Sequence, residues 1–191
     1  FGTNYGLSVW NETTHQFKNL TSEKLRKELN GTKVTAITKT TDGNLWLGTY
    51  DGLLGKYDSD YNLIKAYHPS GNNPGDMQQI VQLENVDKNN LLILTQFHSR
   101  ILLNFDTENE TTRLFELYNK GSNITYCVLN SLRENQKGEL LAIISDQGLF
   151  HVNWKDNVLE NRLQDMNKRI GCYISDFYHD RKDNYWFATS A

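Results

Sequence analysis

One short motif returns along the chain at a nearly fixed interval. Phe1-Gly2-Thr3-Asn4-Tyr5-Gly6-Leu7 matches Leu47-Gly48-Thr49-Tyr50-Asp51-Gly52-Leu53 at an offset of 46. Gly138-Glu139-Leu140-Leu141-Ala142 repeats the pattern of Gly43-Asn44-Leu45-Trp46-Leu47, and Asp183 to Thr189 repeats Gly43 to Thr49. A degenerate copy, Lys88 to Thr95, keeps the turn, the strand and the threonine. Thr3, Thr49, Thr95 and Thr189 are therefore 46, 46 and 94 residues apart, the last gap holding two units. A period of about 46 residues with four short strands per unit is the signature of a β-propeller blade.

Local chemistry explains the punctuation. Asp42-Gly43 suits a tight hairpin, since Gly accepts positive φ and Asp bonds its own backbone. Leu45-Trp46-Leu47 is a strand apolar on both faces. Asp51-Gly52 is the next turn and Leu53 to Tyr57 the next strand. Leu91 to Leu94 and Leu140 to Ile144 are also apolar without alternation. A sheet with one wet face alternates, whereas a sheet covered on both faces need not. Helix-covered parallel sheets share that property, but the connections here are short and lack long amphipathic helices.

Val34-x-x-Ile37, Asp42 to Thr49, then Gly52-Leu53 with Tyr57-Asp58, resembles the two-component regulator propeller repeat. The resemblance runs over essentially the whole chain and is strongest in the Trp46 unit. It implies an all-β fold: a propeller segment of four-stranded antiparallel blades, three full blades plus two half-blades. The expected parts are 1-20 (strands three and four of one blade), full blades at 34-67, 79-117 and 127-160, and the first two strands of a further blade at 174-191. Trp46 and Trp186 share one blade position and are expected to be buried equivalently, as wedges between sheets. Thr21 to Leu29 suggests a helical turn, and Leu163, Met166 and Ile170 a short helix in a connecting loop. The sequence starts inside a repeat and stops just after a second strand, so it reads as part of a longer propeller.

Bulk properties remove several classes. With 20 Lys and Arg against 23 Asp and Glu, net charge is −3, and there is no basic run for nucleic acid. No apolar run approaches the roughly 18 residues of a membrane span. Cys127 and Cys172 fall just before the first strands of successive blades, where free thiols are expected and no zinc cluster is possible. His15, His68, His98, His151 and His179 form no HExxH spacing. No GxSxG elbow and no phosphate-binding glycine loop occurs, so neither catalytic residue, cofactor nor metal is assigned. Asp176, His179, Asp180 and Asp183 read as a turn and solvated edge.

In propellers, the loops before each first strand and those joining strands two and three crowd one face. Here they carry Thr32-Lys33, Met77-Gln78, Tyr126-Cys127, Cys172-Tyr173, Asn4-Tyr5, Tyr50-Asp51, Gln96 to Ser99 with Arg100 beyond, and Ser145 to Gln147. Aromatic rings beside amides and a few charges suit a sugar: the ring stacks on the pyranose and the polar groups bond its hydroxyls. Tyr5, Tyr50, Asp51, His98, Arg100, Tyr126 and Tyr173 are the candidate ligand-binding residues. The same residues also suit a rim that only spaces the blades. The resemblance implies the sensor propeller of a hybrid histidine kinase, periplasmic and anchored through its parent in the inner membrane, recognising an oligosaccharide or other small molecule. Its implied partners are that ligand and further blades of the parent chain; the final half-blade could also pair with the first, within one chain or between two copies. A propeller lyase or glycosidase, or a protein-binding scaffold, are the alternatives.

Overall fold

The computed structural model describes residues 1–4, 6–19, 32–70, 78–96, 100–119, 122–124, 129–144, 147–162, 164–170 and 173–189. The helical turn expected over 21–29, and both cysteines, lie outside them. Five sheets follow one another. Sheet I contains β1 (Gly2–Thr3), β2 (Gly6–Asn11) and β3 (Gln16–Asn19). Sheet II contains β4 (Val34–Lys39), β5 (Leu45–Thr49), β6 (Leu54–Tyr57) and β7 (Leu63–Tyr67), paired in that order. Sheet III contains β8 (Gln79–Asn85), β9 (Asn90–Gln96), β10 (Arg100–Asp106) and β11 (Thr111–Leu114), again in chain order. The fold is all-β in the sense expected, with antiparallel four-stranded sheets.

Sheet IV departs from that plan. Its four antiparallel strands are β14 (Leu129–Glu134), β15 (Leu140–Ile144), β16 (Gly148–Asn153) and β17 (Val158–Glu160). The hairpin of β12 (Glu116–Asn119) and β13 (Ser122–Ile124) adds to it, with β12 running parallel to β17. The end of the blade expected over 79-117 is thus divided. Phe115 is buried and its N–H donates to the Leu102 carbonyl, after which the chain pairs with another sheet. Helix α1 (Gln164–Ile170) follows, with Asp165 in its first turn and Lys168 and Arg169 in its last, the signs that complement the helix dipole. Sheet V is the hairpin of β18 (Ile174–His179) and β19 (Tyr185–Thr189). Among the described residues no helix is long and apolar enough to cross a membrane.

By compactness the chain divides into two units: residues 1–97 with 105–112, and residues 98–104 with 113–191. In the first unit, Leu7, Val34, Leu47, Leu53 and Tyr57 form a core between sheets I and II, with Val9 and Ile37 packed against it. Gly48 is required there by close approach: a Cβ would collide with the Ile80 side chain. Trp46 is 1% exposed, its ring 5.8 Å from Tyr67 and 6.1 Å from Phe105, with Lys56 Nζ 5.4 Å above it. In the second unit, Leu141, Ile143, Leu149, Ile174 and Phe177 form the core, and Met166 of α1 packs on it. The apolar runs of β9 and β15 are buried along almost their whole length, as their lack of alternation requires.

Each first strand carries a bulge at the same point: between Val34 and Ala36, Ile80 and Gln82, Leu129 and Ser131, and Ile174 and Asp176. The extra residue re-aims its side chain. Thr35 Oγ1 reaches the Ile80 carbonyl at 2.5 Å, and Asn130 Nδ2 the Ile174 carbonyl at 2.7 Å. In each unit, then, one first strand is bonded to the next through its bulge residue.

Trp186 corrects one expectation. It is 62% exposed, and so is its cross-strand neighbour Tyr178 to a similar degree. Trp46 is covered by Tyr67 on a fourth strand and Phe105 on the following sheet. Neither has a counterpart over β18–β19 among the described residues, so the same position stays open. On sheet I, Leu7 points into the core while Trp10 and Phe17 meet on the other face at 4.8 Å and Phe1 joins Phe17 at 5.9 Å, leaving another exposed aromatic face.

Candidate ligand-binding rim

Two of the expected residues are brought together with two of their loop neighbours, all within the first unit. Tyr50 N–H donates to the Lys33 carbonyl at 2.9 Å, and Lys33 Nζ lies 5.7 Å from the Tyr50 ring centroid, within cation–π range. The Tyr50 ring is 57% exposed and offers a stacking face. Asp51 is oriented from below: the buried Thr49 hydroxyl donates to Asp51 Oδ1 at 2.5 Å and accepts from Leu53 N–H at 2.9 Å. Gly52 has φ 85°, and a Cβ there would fall 2.8 Å from the Gln78 carbonyl oxygen. Only glycine lets the β5–β6 turn rest against the residue that leads into β8. Gln78 Oε1 in turn accepts from the Thr95 hydroxyl at 2.6 Å. Two of the periodic threonines, Thr49 and Thr95, are thus buried posts that hold rim side chains in place. Their rim presents a cation, a ring, a carboxylate and an amide, a set that can stack on and hydrogen-bond a polyol.

Tyr173 stands just before β18 in the second unit and is 41% exposed, with no hydrogen bond given to it by the described residues that surround it. Arg100 opens β10, and its side chain lies outside the described residues. Tyr5, His98 and Tyr126 lie outside them altogether. Among the described residues no group of three or more His, Cys, Asp or Glu could hold a metal ion.

Within the acidic cluster near the last turn, Asp180 bonds the turn itself and Asp183 is exposed, whereas Asp176 and His179 join β18 to the β14–β15 hairpin. Arg133 Nε and Nη2 grip Asp176 at 2.8 and 2.7 Å, and the Ser131 hydroxyl and Phe177 N–H also donate to it. Bonding to the Arg133 guanidinium, reinforced by Ser131, holds the Asp176 carboxyl down at about 2. His179 is 4% exposed. Lys137 is ion-paired to Asp183 at 2.8 Å, which lowers the Asp183 carboxyl and raises the Lys137 ammonium. Sequence reasoning missed Arg133, Ser131 and Gln136. The available signal was distance: Ser131 and Asp176 stand 45 residues apart, one period.

Residues 28–51 match the family described as "Two component regulator propeller". That segment, not the whole chain, is similar to the two-component regulator propeller repeat. The matched repeat takes in β4, its turn and β5, and ends on Tyr50 and Asp51 of the rim. No curated protein matches the sequence. Among solved structures, the extracellular domain of a B. thetaiotaomicron protein described as a hybrid two component system, BT3049, is similar in fold. It is 16% identical, with a TM-score of 0.62, over 97% of this chain and 23% of that one. The extracellular domain of B. thetaiotaomicron BT4673, described as a one component system, is 19% identical with a TM-score of 0.63, over 98% and 24%. The β-propeller domain of Cps50 (Swd1) from Myceliophteria thermophila gives 11% identity and 0.63, over 98% and 57%. The chain spans about a quarter of the length of the two bacterial domains. At these identities the likeness establishes the β-propeller fold.

Proposed function

We propose that this chain is part of the extracytoplasmic sensor propeller of a bacterial two-component regulator, and that its ligand is a soluble oligosaccharide which it binds without altering. The observation that carries this reading is the convergence of Lys33, Tyr50, Asp51 and Gln78 on one rim, built by the residues that match the regulator propeller repeat. The extracellular location of the two bacterial domains of like fold supports a periplasmic site of action. The parent would be a hybrid histidine kinase anchored in the inner membrane. Further blades of that parent would cover the aromatic faces of sheets I and V, and two copies could pair through the same faces. A non-enzymatic role agrees with the rim of the first unit: of Lys33, Tyr50, Asp51 and Gln78, only Asp51 is a carboxylate, whereas glycoside cleavage uses two.

The test is calorimetry of the whole propeller against a panel of oligosaccharides, with product analysis of the same mixtures. Binding without cleavage is expected, and Tyr50→Ala should weaken it by about 1–3 kcal/mol through loss of the stacking face. Cleaved sugar would assign the chain to the enzymes instead. Tight capture of a protein with no glycan binding would assign it to the scaffolds.

A further inference from the structure

His179 ends β18, is buried, and bridges two hairpins of the second unit. Its Nδ1 accepts from the Gln136 N–H at 3.1 Å. Gln136 belongs to the β14–β15 turn, which is closed by its own bonds, Asn135 N–H to the Glu139 carbonyl and Gly138 N–H to the Asn135 carbonyl. The Gln136 N–H therefore points out of the turn at the imidazole. Because Nδ1 accepts, the ring's single proton sits on Nε2, 2.8 Å from Asp183 Oδ1. The ring stacks on Tyr185 at 4.2 Å and 13°, and the Tyr185 hydroxyl accepts from Asn135 of the same turn at 3.3 Å. These contacts of the imidazole join the β18–β19 hairpin within itself or to the β14–β15 turn.

The charged and titratable groups facing it are Asp183 and Tyr185 from its own hairpin, and Lys137 from the turn, with Glu139 near enough to act on Lys137. Asp180 is turned away, bonded to Trp186 Nε1 at 2.9 Å and to Asn184. Asp183 is shared between Lys137 and the imidazole Nε2, both at 2.8 Å. A second proton has one place to go, Nδ1. There it converts the acceptor of the Gln136 N–H into a donor pointed at a donor.

We propose that His179 is a proton-operated latch: protonation of Nδ1 releases the β14–β15 turn from the β18–β19 hairpin. Histidine is the side chain whose charge ordinarily changes nearest neutral pH. Loss of one acceptor in a buried contact opens the structure locally, and local opening is read by amide exchange.

The test is the exchange protection of the Gln136 amide in the 191-residue chain, alongside the ¹⁵N shift of His179 Nδ1. As the pH is lowered, the wild-type protection factor should fall by about tenfold or more, with the same midpoint as Nδ1 protonation. In His179→Asn the amide oxygen keeps an acceptor near the Nδ1 position and does not titrate, so protection there should be flat. Constant protection in the wild type, or an equal fall in His179→Asn, overturns the latch. If that variant does not fold, the wild type decides alone: a fall in protection while Nδ1 stays unprotonated overturns it.

Discussion

At the scale of the residue, Asp176 shows how an ion pair becomes a joint. Four donors converge on its carboxylate, three of them from β14 side chains and one from its own following peptide. They favour the charged form, so its folded value of about 2 lies below the ordinary 3.8. A carboxyl lowered on folding adds stability that is complete above the ordinary value and is lost as pH falls through the folded one. Asp176→Asn should therefore melt lower than wild type at pH 5, and the gap should close as pH falls from about 4 to about 2. Melting curves across that range check it, and a gap independent of pH would falsify the assignment. The pair is partly solvent-exposed, so screening keeps the effect modest.

At the scale of the element, Trp46 and Trp186 separate position from cover. Both stand second in a strand-two segment, and the same pattern around them led to the same expectation. What buries Trp46 is supplied by β7 and β10, elements a local pattern does not contain. Trp46→Ala should cost about 3–5 kcal/mol, as for other buried aromatic truncations. Trp186→Ala should fall within about 0.5 kcal/mol of wild type in this chain, as exposed positions do. Chemical denaturation of the two variants distinguishes them, and equal losses would mean that Trp186 is covered in solution. The same distinction separates what could be read from sequence from what could not. The apolar runs of β9 and β15 and the Asp42-Gly43 turn declare themselves by local chemistry alone, and Gly43 does take a positive φ. Tyr50 and Asp51 were legible because they flank a glycine turn. The Arg133–Asp176 pair was not, because it needs the register between strands one period apart. Nor was the parallel addition of β12 to β17, since a six-residue run such as 112–117 carries no mark of where its pairing partner changes.

At the scale of the whole molecule, two exposed aromatic faces, one on sheet I and one on sheet V, set what the chain should do when lengthened. Apolar area removed from water stabilises by about 25 cal/mol per Å², and large exposed apolar patches bind hydrophobic dyes and partners. Extending the polypeptide by one repeat unit at either end should lower binding of an apolar dye and shift tryptophan emission to shorter wavelength. Unchanged dye binding and emission would mean that these faces do not receive blades. The bulges of the first strands carry a consequence for the history of such a chain. Thr35 reaches Ile80 and Asn130 reaches Ile174, each bond spanning about one repeat. A tandem gene duplication that copies one repeat therefore copies both the hook and the eye of the joint. New units inherit a working connection on either side from the first generation, so unequal crossing-over can change the number of units without inventing an interface.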